Sequence, residues 1–472
     1  MNQAERATHR VSPSVLGQLR HIAGDEYVLT DSESRDRYSR DETEDLTFVP
    51  DVIVRPAGTA QVSEILTLAN RERIPVTPRG GGTGLSGGAL PIFGGIVLSM
   101  ERFNRILEID RVNLQAVVEP GVVTQRFQEE VESQGLFYPP DPASRGSCQL
   151  GGNLAECAGG PRAVKYGVTK DYVLGIEAVL ANGTVISPGA RTLKNVTGYN
   201  LTQLIIGSEG TLAVITRIIL RLIPLPSFRR VMLAAFPTLE DAAACVSTVF
   251  QSGITPSALE FMERSAVKAA EDHLGKKFPN GQAAAQLFIE VDGNHEEAVA
   301  DDIRTIASVL EQHHVSDVLL AEERGKMEEV WDLRRGMGEA VKSISAYKEE
   351  DTVVPRAKLP ALVAGVKNIC SQYGVMSICY GHAGDGNVHV NILKGALDTS
   401  TWEPASEKAI REIFTLAVSL GGTLSGEHGI GYSQKPFLPI AVSQAELSLM
   451  RQIKRTFDPN DILNPGKIFP EW

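Results

Sequence analysis

The chain has 472 residues, of which 43% are hydrophobic and 22% are charged, a composition typical of globular proteins. Its length predicts two or more domains, because a single hydrophobic core rarely grows beyond about 250–300 residues. The net charge of −12 argues against a nucleic-acid partner, which would require a basic face. Local cations must therefore capture any anionic substrate.

The cysteines and the hydropathy of the chain indicate the cellular compartment in which the protein is expected. The N-terminus lacks the apolar stretch of a secretory signal, and no apolar run is long enough to span a membrane. The cysteines are odd in number and form no Cys-x-x-Cys pair, which favours free thiols in a reducing cytosol and excludes a four-cysteine iron–sulfur run. We therefore expect a cytoplasmic protein without a membrane span. The cysteines are Cys148, Cys157, Cys245, Cys370 and Cys379.

In the first half of the chain, short apolar runs alternate with glycine and proline. Apolar residues around Val15–Leu19 indicate a leading helix. Thr59 is a candidate N-cap for a helix with apolar residues at three- and four-residue spacing. Asn182-Gly183 is a hairpin turn signal between two strands. The predicted strands are 52–54, 95–98, 116–119, 175–180, 184–186, 212–216 and 218–223.

Pro224 and Pro226 mark the boundary to a second half with a different pattern. Strands at 231–236 and 285–291 flank a helix at 239–250, and longer helices are expected at 295–314 and 327–343. Two further strands lie at 377–380 and 388–393, and the chain ends in a turn-rich tail. Helices and strands at this spacing predict an α+β fold with helices packed on an antiparallel sheet.

A glycine-rich loop follows the strand that ends near Pro78: Arg79-Gly-Gly-Gly-Thr83-Gly84-Leu-Ser86-Gly-Gly88. No helix pattern follows, so the loop is not a Rossmann fingerprint, and without Gly-Lys-Ser/Thr it is not a P-loop. Its successive backbone N–H groups could bind a diphosphate as a nest. The alternative is a flexible surface turn.

Two short stretches hold three of the nine histidines: Gly381-His382-Ala-Gly-Asp-Gly-Asn-Val-His389-Val-Asn391 and Ser425-Gly-Glu427-His428-Gly429. Imidazoles with a carboxylate suit a divalent transition metal, and a further histidine could move a proton. Strand alternation places His389 and Asn391 on one face, and the loop between could bring His382 near His389. The alternative is that these are structural histidines beside an ordinary Asp-Gly-Asn turn.

The glycine loop is one of several motifs that occur together. In chain order these are Tyr138-Pro-Pro-Asp141-Pro-Ala-Ser144, Leu150-Gly-Gly-Asn153, Ala158-Gly-Gly-Pro161, Lys165-Tyr-Gly, Gly207-Ser-Glu-Gly210-Thr and Asn464-Pro-Gly-Lys467. The loop resembles the diphosphate-binding loop of vanillyl-alcohol oxidase/p-cresol methylhydroxylase-type FAD-binding domains. With the histidine stretches, nearly the whole chain resembles the FAD-dependent D-2-hydroxyacid dehydrogenases, which include glycolate oxidase catalytic subunits, D-lactate dehydrogenases and D-2-hydroxyglutarate dehydrogenases.

The resemblance implies where FAD is bound. The flavin is expected to be non-covalent, because no histidine lies between His21 and His273 to tether it inside the flavin domain. The implied FAD contacts form four groups: the loop that binds the diphosphate, a second wall of the FAD site opposite that loop, the residues near the adenine and ribose, and one residue of the C-terminal tail. They are Pro78, Arg79, Gly80, Gly81, Gly82, Thr83, Gly84 and Ser86; Pro140, Asp141, Ser144, Gly151, Gly152, Asn153, Gly159 and Gly160; Glu209, Gly210 and Ile215; and Asn464.

The same resemblance assigns the chemistry. His382, His389 and Glu427 match metal ligands, usually of zinc, and His428 matches the base that takes the substrate hydroxyl proton. Arg334 matches the arginine that binds the substrate carboxylate, and Asn391 is a further expected contact. Hydroxyglutarate members have a hydroxyl residue where this chain has Gly338, and their lysine before the next strand has only an offset counterpart, Lys348. A short acid such as lactate or glycolate is therefore favoured.

The expected division is a helical lead at 1–45, an FAD-binding domain at 46–225, a substrate domain at 226–425 and a segment at 426–472 that returns to the flavin. A quinone, an electron-transfer protein or oxygen would reoxidise the flavin. The sequence is also compatible with a homodimer. Three alternatives remain: a D-2-hydroxyglutarate dehydrogenase, a non-redox enzyme of the alkylglycerone-phosphate synthase type, and a non-catalytic FAD-holding subunit. The complete set of base and ligand residues argues against the last two.

Overall fold

The structure is a computed structural model that describes residues 10–471. The described chain forms two compact units, and the chain passes between them more than once. The first unit contains residues 10–158, 168–225 and 427–471, and the second contains Gly159–Gly167 and Pro226–Gly426. Residues 1–9 of the predicted helical lead lie outside the described part of the chain.

The first unit is built from short elements. Its helices are α1 (Pro13–Ala23), α2 (Ser32–Arg37), α3 (Thr59–Glu72), α4 (Thr124–Glu132) and α5 (Leu150–Glu156). Its strands are β1 (Val28–Leu29), β2 (Val52–Val54), β3 (Val76–Arg79), β4 (Ile96–Ser99), β5 (Ile106–Asp110), β6 (Gln115–Val118) and β7 (Leu136–Phe137).

The remaining elements up to residue 225 include one helix that belongs to the second unit. The helices are α6 (Ala163–Tyr166) in the second unit and α7 (Leu201–Ile205) in the first. The strands are β8 (Val173–Val179), β9 (Val185–Ile186), β10 (Val214–Arg221) and β11 (Ile223–Pro224). Short 3-10 turns occur at Asp25–Tyr27 and Thr169–Tyr172.

Two sheets organise the first unit. One has the order β1-β2-β4-β3, in which β2, β4 and β3 are parallel; the other is antiparallel with the order β5-β6-β10-β8-β9. The strands β2 and β4 are continuous apolar runs, as expected where a sheet is covered on both faces, and α1 and α3 share their core. The prediction of two strands at 212–216 and 218–223 was wrong in part, because the single strand β10 continues through Arg217, where a break was expected. Thr59 is the first helical residue rather than the N-cap, which is Gly58.

The C-terminal segment is part of the first unit. Its last helix, α15 (Gln444–Phe457), precedes a stretch that pairs with β3: Val76 N–H donates to the Ile462 carbonyl and Asn464 N–H to the Val76 carbonyl, each at 2.8 Å. The buried Lys454 ammonium donates to Asp458 Oδ2 at 2.5 Å and to the carbonyls of Thr211 and Leu463 at 2.9 Å. The tail is therefore fixed beside the glycine loop by both a backbone ladder and a buried ion pair.

The second unit has an α+β pattern. Its remaining helices are α8 (Leu239–Gln251), α9 (Arg264–Leu274), α10 (Glu296–Gln312), α11 (Arg324–Arg335), α12 (Met337–Lys342), α13 (Leu359–Gln372) and α14 (Thr399–Ser419). Its strands are β12 (Phe228–Phe236), β13 (Ala258–Glu263), β14 (Ala285–Gly293), β15 (Asp317–Ala321), β16 (Tyr347–Val353), β17 (Met376–Gly381) and β18 (Asn387–Leu393). The helix predicted at 327–343 is divided at Gly336.

A seven-stranded antiparallel sheet with the order β15-β12-β14-β13-β17-β18-β16 forms the centre of the second unit. Apolar residues of α9, α11 and α12 share a core with one face of the sheet. The segment Gly159–Gly167 is attached to β14, where Lys165 Nζ and the Tyr166 hydroxyl both donate to the carboxylate of Asp292, at 2.5 and 2.8 Å. None of the helices between residues 10 and 471 has the length and hydropathy of a membrane span.

We predict that Lys454→Met destabilises the first unit by about 3 kcal/mol, because it leaves the Asp458 carboxylate, 1% exposed, without its counter-charge. Urea unfolding followed by circular dichroism measures the change. The matched control is Arg455→Met on the exposed face of the same helix. Equal stability of the two variants would contradict a role for the ion pair in fixing the tail.

Candidate functional site

A row of polar side chains crosses one face of the second unit's sheet. Strand pairing aligns Tyr380 with His389, His389 with Asp351, and Asn391 with Glu349. Because side chains on paired positions point to the same face, these residues share a surface across β17, β18 and β16. Buried polar groups gathered this way require partners, and they mark the face as a candidate site.

The two histidines of the first motif converge on this face. His382 Nε2 and His389 Nε2 are 3.4 Å apart, which confirms the expected approach. The loop between them closes at Gly386, where φ is +84° and a Cβ would lie 1.9 Å from the Val354 carbonyl oxygen. Glycine is required there for both backbone conformation and space.

Each histidine has a carboxylate behind it. His382 Nδ1 lies 2.9 Å from both carboxylate oxygens of Glu260, and His389 Nδ1 lies 3.5 Å from Asp351 Oδ1. A carboxylate at Nδ1 favours the tautomer whose Nε2 lone pair is available to a metal. Tetrahedral zinc with Zn–N of about 2.0–2.1 Å would separate two nitrogen ligands by about 3.3–3.4 Å. The spacing of the two Nε2 atoms and the hydrogen bond that orients His382 therefore fit a divalent metal.

The second motif begins where the second unit ends. Gly426 N–H donates to Asp351 Oδ2 at 2.8 Å, so the same carboxylate that lies behind His389 holds the residue before Glu427. Glu427 and His428 are the first residues of the returning segment in the first unit. Their roles as metal ligand and base stay predictions.

Arg334 and Asn391 both have unused hydrogen-bonding capacity. Arg334 Nη2 donates to Glu260 Oε2 at 2.5 Å, whereas its Nε has no hydrogen-bond partner in the described chain. Asn391 is fully buried, and its amide oxygen also has no partner among residues 10–471. Burial by itself would raise the pKa of Glu260, but the charges of His382 and Arg334 outweigh it and hold that pKa low. Both residues are thus placed to bind a ligand, and those roles stay predictions.

The sequence motifs did not predict the group of Tyr380, Glu349 and Lys342, which forms the far end of this polar row. The Tyr380 hydroxyl donates to Glu349 Oε1 at 3.5 Å, and Lys342 Nζ lies 3.2 Å from Glu349 Oε2. Burial, and next the charge of Glu349, raises the pKa of Tyr380 well above its usual value. Lys348 belongs to the other face, where its ammonium lies 5.9 Å from the centre of the Trp402 ring. The carboxylate of Glu349 faces the site instead of the offset lysine.

In the first unit the glycine loop lies against the start of α5. A Cβ on Gly81 would be 2.5 Å from the Ser147 carbonyl oxygen, and one on Gly80 would be 3.5 Å from the Gly152 nitrogen. By contrast, open space lies beside Gly84 and Gly152. The loop and the predicted second wall thus come together and leave room beside exposed backbone, as a dinucleotide cradle requires.

The other predicted FAD residues belong to the first unit, with two exceptions. Gly210 packs on Pro78, and Asn464 Nδ2 donates to the carbonyls of Gly88 and Glu209 at 2.8 and 2.7 Å. Gly159 and Gly160 belong to the second unit. The remaining residues are in the first unit, either buried or partly exposed: Gly82, Thr83, Ser86, Pro140, Asp141, Ser144, Gly151 and Ile215.

Besides Asn464, three predicted FAD side chains are hydrogen-bonded within the protein. Arg79 Nη2 donates to the Arg40 carbonyl at 2.7 Å, and Asn153 Nδ2 donates to Thr124 Oγ1 at 2.6 Å. The Glu209 carboxylate accepts the N–H groups of Ile430 at 2.8 Å and Gly431 at 2.6 Å. These contacts shape the loops, and the direct contacts of the three side chains with FAD stay predictions.

Glu209 thereby fixes the stretch that follows His428. Gly429 and Gly431 have φ of +80° and +50°, and a Cβ on Gly429 would lie 2.2 Å from Glu156 Oε2. Successive N–H groups around left-handed glycines form an anion-binding nest, which here holds a side-chain carboxylate. Burial raises the pKa of both Glu156 and Glu209.

Comparison with known proteins agrees with these features. The model of the family described as "FAD linked oxidases, C-terminal domain" matches residues 225–468, and that of an "FAD binding domain" matches residues 50–188. The chain belongs to the FAD-linked oxidase family. As a member of that family it is an FAD-dependent oxidoreductase, which confirms the class of enzyme and the flavin expected from the motifs.

Full-length relatives and a solved structure extend this result. The chain is 39% identical over 463 residues to the glycolate oxidase subunit GlcD of Bacillus subtilis, covering 97% of each chain. It is 35% identical to the D-lactate dehydrogenase of Anaerostipes hadrus, covering 98% of this chain and 99% of the relative. The crystal structure of p-cresol methylhydroxylase superposes with a TM-score of 0.77 at 17% identity, over 99% of this chain and 96% of the other. The predicted α+β fold with this type of FAD-binding part is confirmed.

We predict that Glu209→Gln accelerates amide hydrogen exchange in residues 427–434 by about tenfold or more. Ile430 and Gly431 donate to different oxygens of Glu209, and in glutamine one of these positions holds an NH2 group that cannot accept. A hydrogen bond to a charged group is worth about 1.5–3 kcal/mol. Exchange measured by mass spectrometry reports the loop directly. Glu64→Gln, an exposed change on α3, is the control; unchanged exchange in Glu209→Gln would refute the anchoring role.

Proposed function

We propose that this FAD-dependent oxidoreductase oxidises a short D-2-hydroxy acid, such as D-lactate or glycolate, to the 2-oxo acid with help from a divalent metal, most commonly zinc in such sites. The observation that carries the proposal is the convergence of His382 and His389 at 3.4 Å with a carboxylate behind each ring. Relatives named as a glycolate oxidase subunit and a D-lactate dehydrogenase support the substrate class.

In this proposal the second unit holds the substrate's acid end. Arg334 binds the carboxylate through the edge of its guanidinium that Glu260 leaves available, and Asn391 donates to or accepts from a substrate oxygen. His382, His389 and Glu427 would hold the metal, which when bound lowers the pKa of the substrate hydroxyl. Glu260 and Asp351 would orient the two imidazoles so that each presents Nε2 to the metal.

His428 is the proposed base. It accepts the hydroxyl proton while the Cα hydrogen leaves with its electron pair, so that the C–O single bond becomes a carbonyl. FAD supplies the hydride acceptor at its N5 atom. The carboxylate of Glu209 holds the N–H groups of Ile430 and Gly431, and this anchor just after His428 would help to position its imidazole. A quinone, an electron-transfer protein or oxygen then takes the electrons.

D-2-hydroxyglutarate is the second candidate substrate. It would need a cation for its distal carboxylate. Lys348 lies on the opposite face of the sheet, beside Trp402, and Gly338 offers no hydroxyl. These observations favour the shorter acids. A non-redox reaction of the alkylglycerone-phosphate synthase type is disfavoured because it gives no reason for two carboxylate-backed imidazoles to converge.

We predict that D-lactate or glycolate bleaches the absorbance of the bound flavin under anaerobic conditions, whereas L-lactate does not. Stopped-flow absorbance over a panel of D-lactate, L-lactate, glycolate and D-2-hydroxyglutarate measures the rates. If none of these acids reduces the flavin, the proposed function is wrong. Faster reduction by L-lactate than by D-lactate would reverse the assigned stereochemistry.

We predict that His382→Ala abolishes metal binding and that Glu260→Gln weakens it about 10- to 100-fold, with flavin content unchanged in both. Glutamine cannot hold the Nδ1 proton and the Arg334 guanidinium with the charge of a carboxylate. Calorimetric titration of the chelator-treated protein with zinc measures affinity without reference to turnover. Glu263→Gln, on the same strand but beside Lys367 on the opposite face, is the control; wild-type zinc affinity in Glu260→Gln would contradict the metal assignment.

A further inference from the structure

We propose that Glu349 and Lys342 form a charge gate, the ion pair at the far end of the polar row, which excludes 2-hydroxy acids with a second carboxylate. The inference rests on the proposed function and names the substrate class within it as monocarboxylic acids. It concerns only residues of the second unit.

The gate lies beside the groups proposed to bind the acid end. Glu349 is the strand partner of Asn391, and its Oε1 lies 3.5 Å from the hydroxyl of Tyr380. Arg334 lies over the same ring, with Cζ 5.3 Å from its centre, and the His389 ring centre is 5.5 Å from it. Tyr380 therefore has the substrate-binding arginine and a metal-site histidine against its ring and Glu349 at its hydroxyl.

A carboxylate in this position is selective because it is buried. The Glu349 side chain is 5% exposed, so water screens its charge poorly. A substrate carrying only an uncharged tail meets no opposing charge there. A second carboxylate brought to the same end would be desolvated beside a like charge, which lowers its affinity strongly.

Lys342 does not relieve this repulsion, because its ammonium is already paired with Glu349. Its ammonium lies 3.2 Å from Glu349 Oε2 and 5.6 Å from the centre of the Tyr347 ring. Removing the charge of Glu349 while keeping its shape would leave Lys342 as an unneutralised cation at the same place. A variant of that kind gains a receptor for a distal carboxylate rather than merely losing a repulsive group.

Space at the gate is consistent with this reading. Gly338, on α12 with Lys342, is the residue that approaches the Tyr380 hydroxyl, and a Cβ there would lie 3.5 Å from that oxygen in ordinary contact. The absence of a side chain at Gly338 leaves room beside the hydroxyl. Bulk at position 338 is therefore not the obstacle to a longer acid, and the proposal assigns that role to charge.

The test compares kcat/KM for D-lactate with that for D-malate and D-2-hydroxyglutarate in wild type, Glu349→Gln, Lys342→Met and the double variant. We expect wild type to favour D-lactate by at least about 100-fold over either dicarboxylate. Glu349→Gln should raise the relative kcat/KM of the dicarboxylates about tenfold or more, and adding Lys342→Met should abolish the gain. Lys348→Gln, on the opposite face, should leave the ratio unchanged.

Equilibrium binding gives a readout independent of turnover. The Kd values of pyruvate and 2-oxoglutarate are measured from the change that each causes in the flavin spectrum. The ratio of these two Kd values should change in Glu349→Gln in the same direction as the ratio of kcat/KM values. Equal use of D-lactate and D-2-hydroxyglutarate by wild type would overturn the gate, as would an unchanged ratio in a flavin-replete Glu349→Gln protein. If that variant does not fold, Lys342→Met decides, because it must increase discrimination against dicarboxylates. If D-lactate, D-malate and D-2-hydroxyglutarate all reduce the flavin with similar kcat/KM, the gate is refuted and the proposed function is not. If no 2-hydroxy acid reduces the flavin, the proposed function is refuted as well.

Discussion

The carboxylate of Glu260 is the interaction on which the candidate site depends. It lies fully buried in the middle of β13 and accepts from His382 Nδ1 at 2.9 Å and from Arg334 Nη2 at 2.5 Å. An uncompensated charge at this depth would be prohibitively costly, so the strand, the arginine and the histidine must be in register for the unit to fold. The same bonds that stabilise the fold orient a proposed metal ligand and a proposed substrate-binding group relative to each other.

A second buried carboxylate performs the corresponding task in the first unit. Glu209 holds two successive N–H groups of the segment after His428, and glycines at 429 and 431 allow the backbone to turn around it. In both units a histidine with a proposed chemical role lies on irregular backbone, and a buried carboxylate contacts either its ring or the segment that follows it. Such contacts supply order that a helix or strand would otherwise provide.

Much of this organisation is readable from the sequence, and the exceptions have a common cause. Period-two alternation placed His389 and Asn391 on one face, and the glycines around Asp385 indicated the loop that brings His382 to them. Glu260 was not foreseen, because no strand was predicted at 258–263 and its carboxylate has no partner nearby in sequence. The partners, Arg334 and His382, lie far along the chain, and pairing at that distance is a tertiary property.

The same limit explains the side chains whose contacts were unexpected. Motif resemblance predicted Arg79, Asn153 and Glu209 as residues around FAD. Their hydrogen bonds to Arg40, Thr124 and the 430–431 backbone depend on how distant segments meet. Lys348 and Glu349 are adjacent in sequence, and only the strand register decides which of them faces the site. One residue of offset exchanges a cation for an anion at that face.

Charge balance on the second unit's face gives an independent reason to expect a cation there. Glu260 is offset by Arg334 and Glu349 by Lys342, while Asp351 accepts from the neutral Asn387 amide, Ser425 hydroxyl and Gly426 N–H. These donors to Asp351 are neutral, in a chain whose net charge is −12. The divalent ion proposed between His382 and His389 would add positive charge to this face, beside the arginine proposed to bind the anionic substrate. In that proposal the binding of metal and the binding of substrate depend on the same local charges.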